Sequence, residues 1–169
     1  MAATARLEAF LNSRQVPYRT RHHRVAYTAG EVARSEEIPQ DRLAKAVMIL
    51  AGDILLMVVV PASRRVDLQK VAECLRVPDA RLAHEGEFAG RFPDCESGAV
   101  PAFGNLYQVP VCVDDRLAAQ ETIVVQAGTH TDTISLRYAD YADLVQPVLG
   151  DLTHESVPYR ADSTHAVPA

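Results

Sequence analysis

The sequence is short of several things, and each shortage removes a class of protein. It holds 3 cysteines, Cys74, Cys95 and Cys112, an odd number with no CxxC spacing. That excludes a disulfide framework and fits reduced thiols, so a cytoplasmic location is the expectation. No apolar run reaches the roughly 18 residues a membrane-crossing helix needs. The opening MAATARLEAF has neither the basic nor the apolar segment of a secretory leader. No GxSxG elbow and no GxxxxGK[ST] phosphate loop occurs. The 6 histidines (His22, His23, His84, His130, His154 and His165) show no HxxxH spacing, so neither a metal nor a cofactor is expected. Lysine is scarce too: of 17 basic residues only Lys45 and Lys70 are lysines. The net charge of -5 rules out a general polyanion binder, so any nucleic acid must be met through a local basic patch.

What is present suits one domain. A chain of 169 residues, 48% of them hydrophobic, can bury one sizeable core but not comfortably two. Leu7, Phe10 and Leu11 predict a short amphipathic helix over 3–14. Thr28, with Glu31 three residues on, forms a capping box that opens a second helix. AKAVMILAGDILLMVVVPA reads as two apolar strands around a Gly-Asp turn, a hairpin near the middle of a sheet covered on both faces. Asp67 caps LQKVAECL. HEGEFAGRF is a short helix, and VPVCVDDRL is a strand with a turn or short helix. ETIVVQAGTHTDTISLRY is a second hairpin with AGTHTD at its tip, and ADYADLVQPVL is a closing helix. From Asp151 the apolar period fades, so 151–169 reads as a loosely ordered tail after a domain over 1–150. The sum is a single α+β domain, a mixed central β-sheet with helices packed around it.

Several residues are candidates for chemistry, and each has a plainer reading. Lys45 enters a buried strand among apolar neighbours. A lysine there commonly extends to solvent, but aimed into a cleft it would grip phosphate or a developing oxyanion. In ESGAVPAFGNLY, Gly98 and Pro101 make a stiff loop with little side-chain bulk. It serves either as a plain connection or as a run of backbone amides facing a carbonyl oxygen. His130, at a hairpin tip after Gly128, is either solvated or able to contact a substrate hydroxyl. RTRHHR places Arg19, Arg21 and Arg24 together, a solvated edge or a phosphate-contacting patch. Cys95 is a conceivable nucleophile with no evident partner.

Four stretches in order, HRVAYTAGEVA (23–33), LAKAVMI (43–49), FPDCESGAVPAFG (92–104) and IVVQAGTHTDTISLRY (123–138), resemble the YbaK/ProX family, the insertion-type editing domain associated with prolyl-tRNA synthetase. The resemblance spans roughly residues 5–150. The family's lysine falls on Lys45, its glycine- and proline-containing loop on Gly98 to Pro101, and its histidine on His130. The loop departs from the family's GxxxP, since Gly98-Ala-Val-Pro101 is one residue shorter.

The resemblance implies an editing-domain fold and a free-standing trans-editing deacylase that cleaves the ester of a mischarged tRNA. Alanine or cysteine on prolyl-tRNA, or serine or threonine in other free-standing members, would be the amino acid removed. It implies Lys45 on the terminal phosphate or adenosine, backbone amides of Gly98 and Ala99 on the ester oxygen, and His130 on the ribose or the amino-acid pocket. Thr28, Met48, Ser97, Pro101, Phe103 and Gly128 stand as substrate-binding candidates by their nearness to these motifs. The partner is the tRNA acceptor end, met by this chain alone or docked on an aminoacyl-tRNA synthetase, with no membrane involved. A non-catalytic tRNA-binding module, or a hydrolase of another small ester or amide, remains open beside it.

Overall fold

The computed structural model describes residues 2–156. Helix α1 (Ala3–Ser13) buries Leu7 and Leu11, one turn apart, completely. Strand β1 (Arg19–His22) is exposed along its length. Helix α2 (Ala29–Glu36) opens on the expected capping box: Thr28 Oγ1 accepts the Glu31 N–H at 3.1 Å, and the Glu31 carboxylate accepts the Thr28 N–H at 3.4 Å. Strands β2 (Leu43–Ala51) and β3 (Ile54–Pro61) form the expected hairpin, with Gly52 at φ 60° in its two-residue turn.

Strand β4 (Arg64–Val66) leads to α3 (Leu68–Leu75), whose first turn is capped by Asp67 accepting the Lys70 N–H at 3.1 Å. Next come β5 (Arg81–Leu82), α4 (Glu85–Phe88), the long apolar loop, β6 (Val111–Asp114) and α5 (Asp115–Ala118). The chain continues through β7 (Thr122–Gln126), β8 (Asp132–Arg137) and α6 (Tyr138–Val145) to the short strands β9 (Val148–Gly150) and β10 (Thr153–Glu155).

The fold is a single α+β domain on a mixed eight-stranded sheet. Its strands run β1-β8-β7-β2-β3-β6-β9, and β5 pairs with β2 beside this path. The β2–β3 hairpin lies at the centre, as its unbroken apolarity requires. Alternation along β3 sends Met57 and Val59 to one core and Val58 and Val60 to another, so both faces are covered. The larger core holds α1, α6 and the apolar loop, whereas α3 packs on the opposite face.

Two expectations for the C-terminal end need correction. The closing helix stops at Val145, because Pro147 cannot continue it, and residues 148–150 instead pair in parallel with β6. Nor is the chain loose from Asp151: Leu152 and Thr153 are fully buried, and β10 pairs antiparallel with β4. The buried Asp114 carboxylate accepts the Leu152 N–H at 2.9 Å and the Thr153 hydroxyl at 3.2 Å, a tether that a three-residue strand cannot announce by periodicity. The rest of that tail, 157–169, lies outside the described residues.

Candidate active site

The site grows out of an interruption in the sheet. On one edge β2 pairs fully with β3. On the other it pairs with β7 only at Leu43 and Ala44, and with β5 only at Ile49 and Leu50. Between these contacts, residues 45–48 pair with no strand on that edge among the described residues, and a cavity of about 640 Å³ opens there. Lys45, Ala46, Val47 and Met48 form its floor, with Thr28 at the N-terminus of α2 and Gln126 at the end of β7 beside them. Gly98 and Val100 of the apolar loop line it from the other side.

This gap resolves a geometric tension. Lys45 shares the alternation of Val47 and Ile49, whereas the loop residues Val100, Ala102 and Phe103 pack into the core that holds Ala44 and Met48. With a strand in the gap, the ammonium and the loop would be on opposite sides of a closed sheet. Because no strand closes it, both reach one hollow.

The Lys45 residue remains solvent-accessible, yet partial burial of its ammonium lowers the pKa from the ordinary lysine value, and the nearby Arg65 guanidinium lowers it further. Arg64 and Arg65 line the same cavity, so three cations face it. The sequence reading missed both arginines. SRR directly after β3 was their only signal, and nothing local says that β4 folds back beside Lys45.

Gly98 sits at φ +80°, a conformation that favours glycine, and its N–H has no partner among the described residues. Val100 N–H is likewise unpartnered among them. Ala99 departs from expectation: its N–H donates to the Glu96 carbonyl at 3.0 Å and the residue is fully buried, so that amide is already used. Phe103 is also fully buried and meets Tyr141 edge-on, ring centroids 5.2 Å apart, which makes it core rather than cavity wall. Tyr141 donates its hydroxyl to the Ala102 carbonyl at 2.7 Å. The loop is apolar because its inner side plugs the core. Pro101 is buried beside them and does not line the cavity. Ser97 is exposed, and its hydroxyl donates to the Glu85 carboxylate, which fastens the loop to α4.

His130 approaches the cavity indirectly. Its Cε1 would lie 3.6 Å from a Cβ placed on Gly98, and its ring rests against Tyr27 with centroids 4.8 Å apart. Its Nδ1 is buried without a partner among the described residues. Glu96, 34 positions earlier in the chain, ties the hairpin tip to the loop. Its carboxylate accepts the His130 N–H at 2.8 Å, and its own N–H donates to the Gly128 carbonyl at 2.8 Å. No spacing rule relates residues so far apart, and the sequence reading assigned Glu96 no role. Gly128 is buried at φ +94°, does not line the cavity and faces α1: a Cβ there would stand 2.2 Å from that of Ala3.

Arg19, Arg21 and Arg24 do not line the cavity. Arg21 and Arg24 border a separate groove with His23, Glu36 and Glu37, and Arg21 donates to the Glu36 carbonyl at 3.2 Å. Cys95 is no activated nucleophile. Burial pushes its thiol up to about 11, and its Sγ lies 3.4 Å from the Tyr107 hydroxyl. Cys95→Ser is therefore expected to leave the rate of any hydrolysis within about twofold of wild type, measured as single-turnover kinetics.

Three solved structures share the fold. The hypothetical protein APE2540 is 18% identical over 88% of this chain and 99% of that chain, with a TM-score of 0.79. A candidate trans-editing enzyme for prolyl tRNA synthetase is 18% identical over 91% and 98%, with a TM-score of 0.78. A scaffold protein from the computational grafting of linear epitopes is 18% identical over 92% and 99%, with a TM-score of 0.76. No curated protein sequence matches the chain. The aminoacyl-tRNA editing domain matches residues 23–144, a span that contains all four motif stretches and most of the chain's length. With the gap at β2, the lysine in it and the glycine loop across from it, this chain belongs to the aminoacyl-tRNA editing domain family.

Proposed function

We propose that the protein is a trans-editing deacylase that hydrolyses the ester between a mischarged amino acid and the terminal ribose of its tRNA. One observation carries the reading: Lys45, Gly98 and Val100 line the same cavity, and the N–H groups of the last two have no partner among the described residues. Its volume of about 640 Å³ suits a nucleoside with a small amino acid attached.

An aminoacyl ester is already activated, so positioning and charge stabilisation can supply most of the rate. Water attacks the ester carbonyl carbon, and the carbonyl oxygen becomes anionic within reach of the Gly98 and Val100 N–H groups. The bond to the ribose oxygen then breaks, and that oxygen leaves with a proton. The products are the free amino acid and a tRNA with its terminal hydroxyl restored. Lys45, Arg64 and Arg65 supply positive potential for the terminal phosphates. Three cations in an otherwise acidic chain predict modest, salt-sensitive affinity.

The amino-acid side of the cavity is apolar, with Ala46, Met48, Ala83, Phe88 and Val100 along it. A hydroxyl lodged against that wall would lose its hydrogen bonds to water, which favours alanine or cysteine over serine or threonine. The test is a panel of tRNAs charged with labelled alanine, cysteine, serine or threonine. Release of alanine or cysteine fastest supports the proposal. Binding without release would make the protein a sequestering module, and indifference to every tRNA would remove the substrate class.

A further inference from the structure

Tyr27 stands at the mouth of the cavity, 70% exposed, and local structure does not account for it. It precedes the N-cap Thr28, where an apolar side chain commonly packs on the residue five positions later and staples the helix start. Here that later residue, Val32, is fully buried while Tyr27 stays in solvent, so no staple forms. Yet the segment is held firmly. The Tyr27 N–H donates to Glu31 Oε2 at 2.9 Å, and the Ala26 N–H donates to the His130 carbonyl at 3.1 Å. The His130 ring backs the aromatic ring, tilted at 55°. The result is a pre-positioned, solvent-facing π-surface beside Lys45, Arg64 and Arg65.

An exposed aromatic next to a cluster of cations is the arrangement that binds a single-stranded nucleotide, with the base on the ring and phosphates on the cations. We infer that Tyr27 is a stacking platform for the base of the tRNA's 3′-terminal nucleotide, with His130 as its backing. This rests on the deacylase reading, whose cavity it completes. It assigns His130 a supporting role in base binding through Tyr27. Stacking tolerates any base, so the platform would secure the end of the strand without selecting among tRNAs.

The test compares binding of two uncharged tRNAs, one with its normal 3′ end and one with an abasic ribose at the terminal position, by fluorescence anisotropy with the full chain. Wild type should prefer the normal end by about tenfold. Tyr27→Ala should abolish that preference while leaving the melting temperature nearly unchanged, and Tyr27→Trp should preserve it. An equal preference in wild type and Tyr27→Ala, or none in wild type, overturns the platform. Turnover of the charged-tRNA panel is read separately. Normal turnover without a base preference sinks only this inference, whereas absent binding and turnover sink the deacylase reading as well.

Discussion

Lys45→Ala is expected to slow deacylation of the preferred aminoacyl-tRNA by at least about tenfold, a loss of ~1.4 kcal/mol of transition-state stabilisation. The ammonium lies in a partly enclosed cavity, where its attraction for phosphate is stronger than at an open surface. Lys45→Arg should also be impaired, because a broad planar guanidinium replaces a compact charge in a space already bordered by Arg64 and Arg65.

Stability should move differently. The Lys45 pKa is lowered in the fold, so the unfolded chain binds that proton more tightly. Its charge therefore costs stability below the lowered pKa, and the cost disappears as pH rises towards the ordinary lysine value. Lys45→Ala at neutral pH should leave the denaturation midpoint unchanged or slightly raised. For the same reason, binding of uncharged tRNA should weaken on the alkaline side sooner than an ordinary lysine would dictate. A fall in activity that tracked a fall in stability would mean that Lys45 acts as structure.

Gly128→Ala should show the opposite pattern. The added methyl would need a positive φ and would overlap the Cβ of Ala3. Strain of this kind, with overpacking against a helix, costs about 2–4 kcal/mol. Helix α1 is also tied to the hairpin end by Thr4, whose hydroxyl donates to the Ala127 carbonyl at 2.7 Å, so it cannot shift away freely. Urea denaturation should show a clearly lower midpoint, with the rate per folded molecule close to wild type. A large loss of turnover at unchanged stability would restore Gly128 to the substrate site.

These contrasting residues show where the sequence was legible. The β2–β3 hairpin, the Thr28–Glu31 box and the Asp67 cap are local devices, and each was readable from spacing alone. The family resemblance located Lys45, Gly98 and His130 in one region. What escaped depends on contacts between distant parts of the chain. The two-residue strand β5 leaves the gap in the sheet by pairing with only the far end of β2. Gly128 is explained by α1, and Ala99 by a turn to Glu96. Phe103 stood as a pocket candidate by its nearness to the loop motif, and nearness in sequence cannot tell that its ring faces the core.

The most direct measurement is a structure of the protein with a non-hydrolysable aminoacyl-adenosine in which an amide replaces the ester. The amide oxygen should lie within roughly 3 Å of the Gly98 or Val100 nitrogen, with the nucleoside's 5′ side towards Lys45. A ligand seated in the groove of Arg21 and Arg24, or with that oxygen turned away from the loop, would contradict the account.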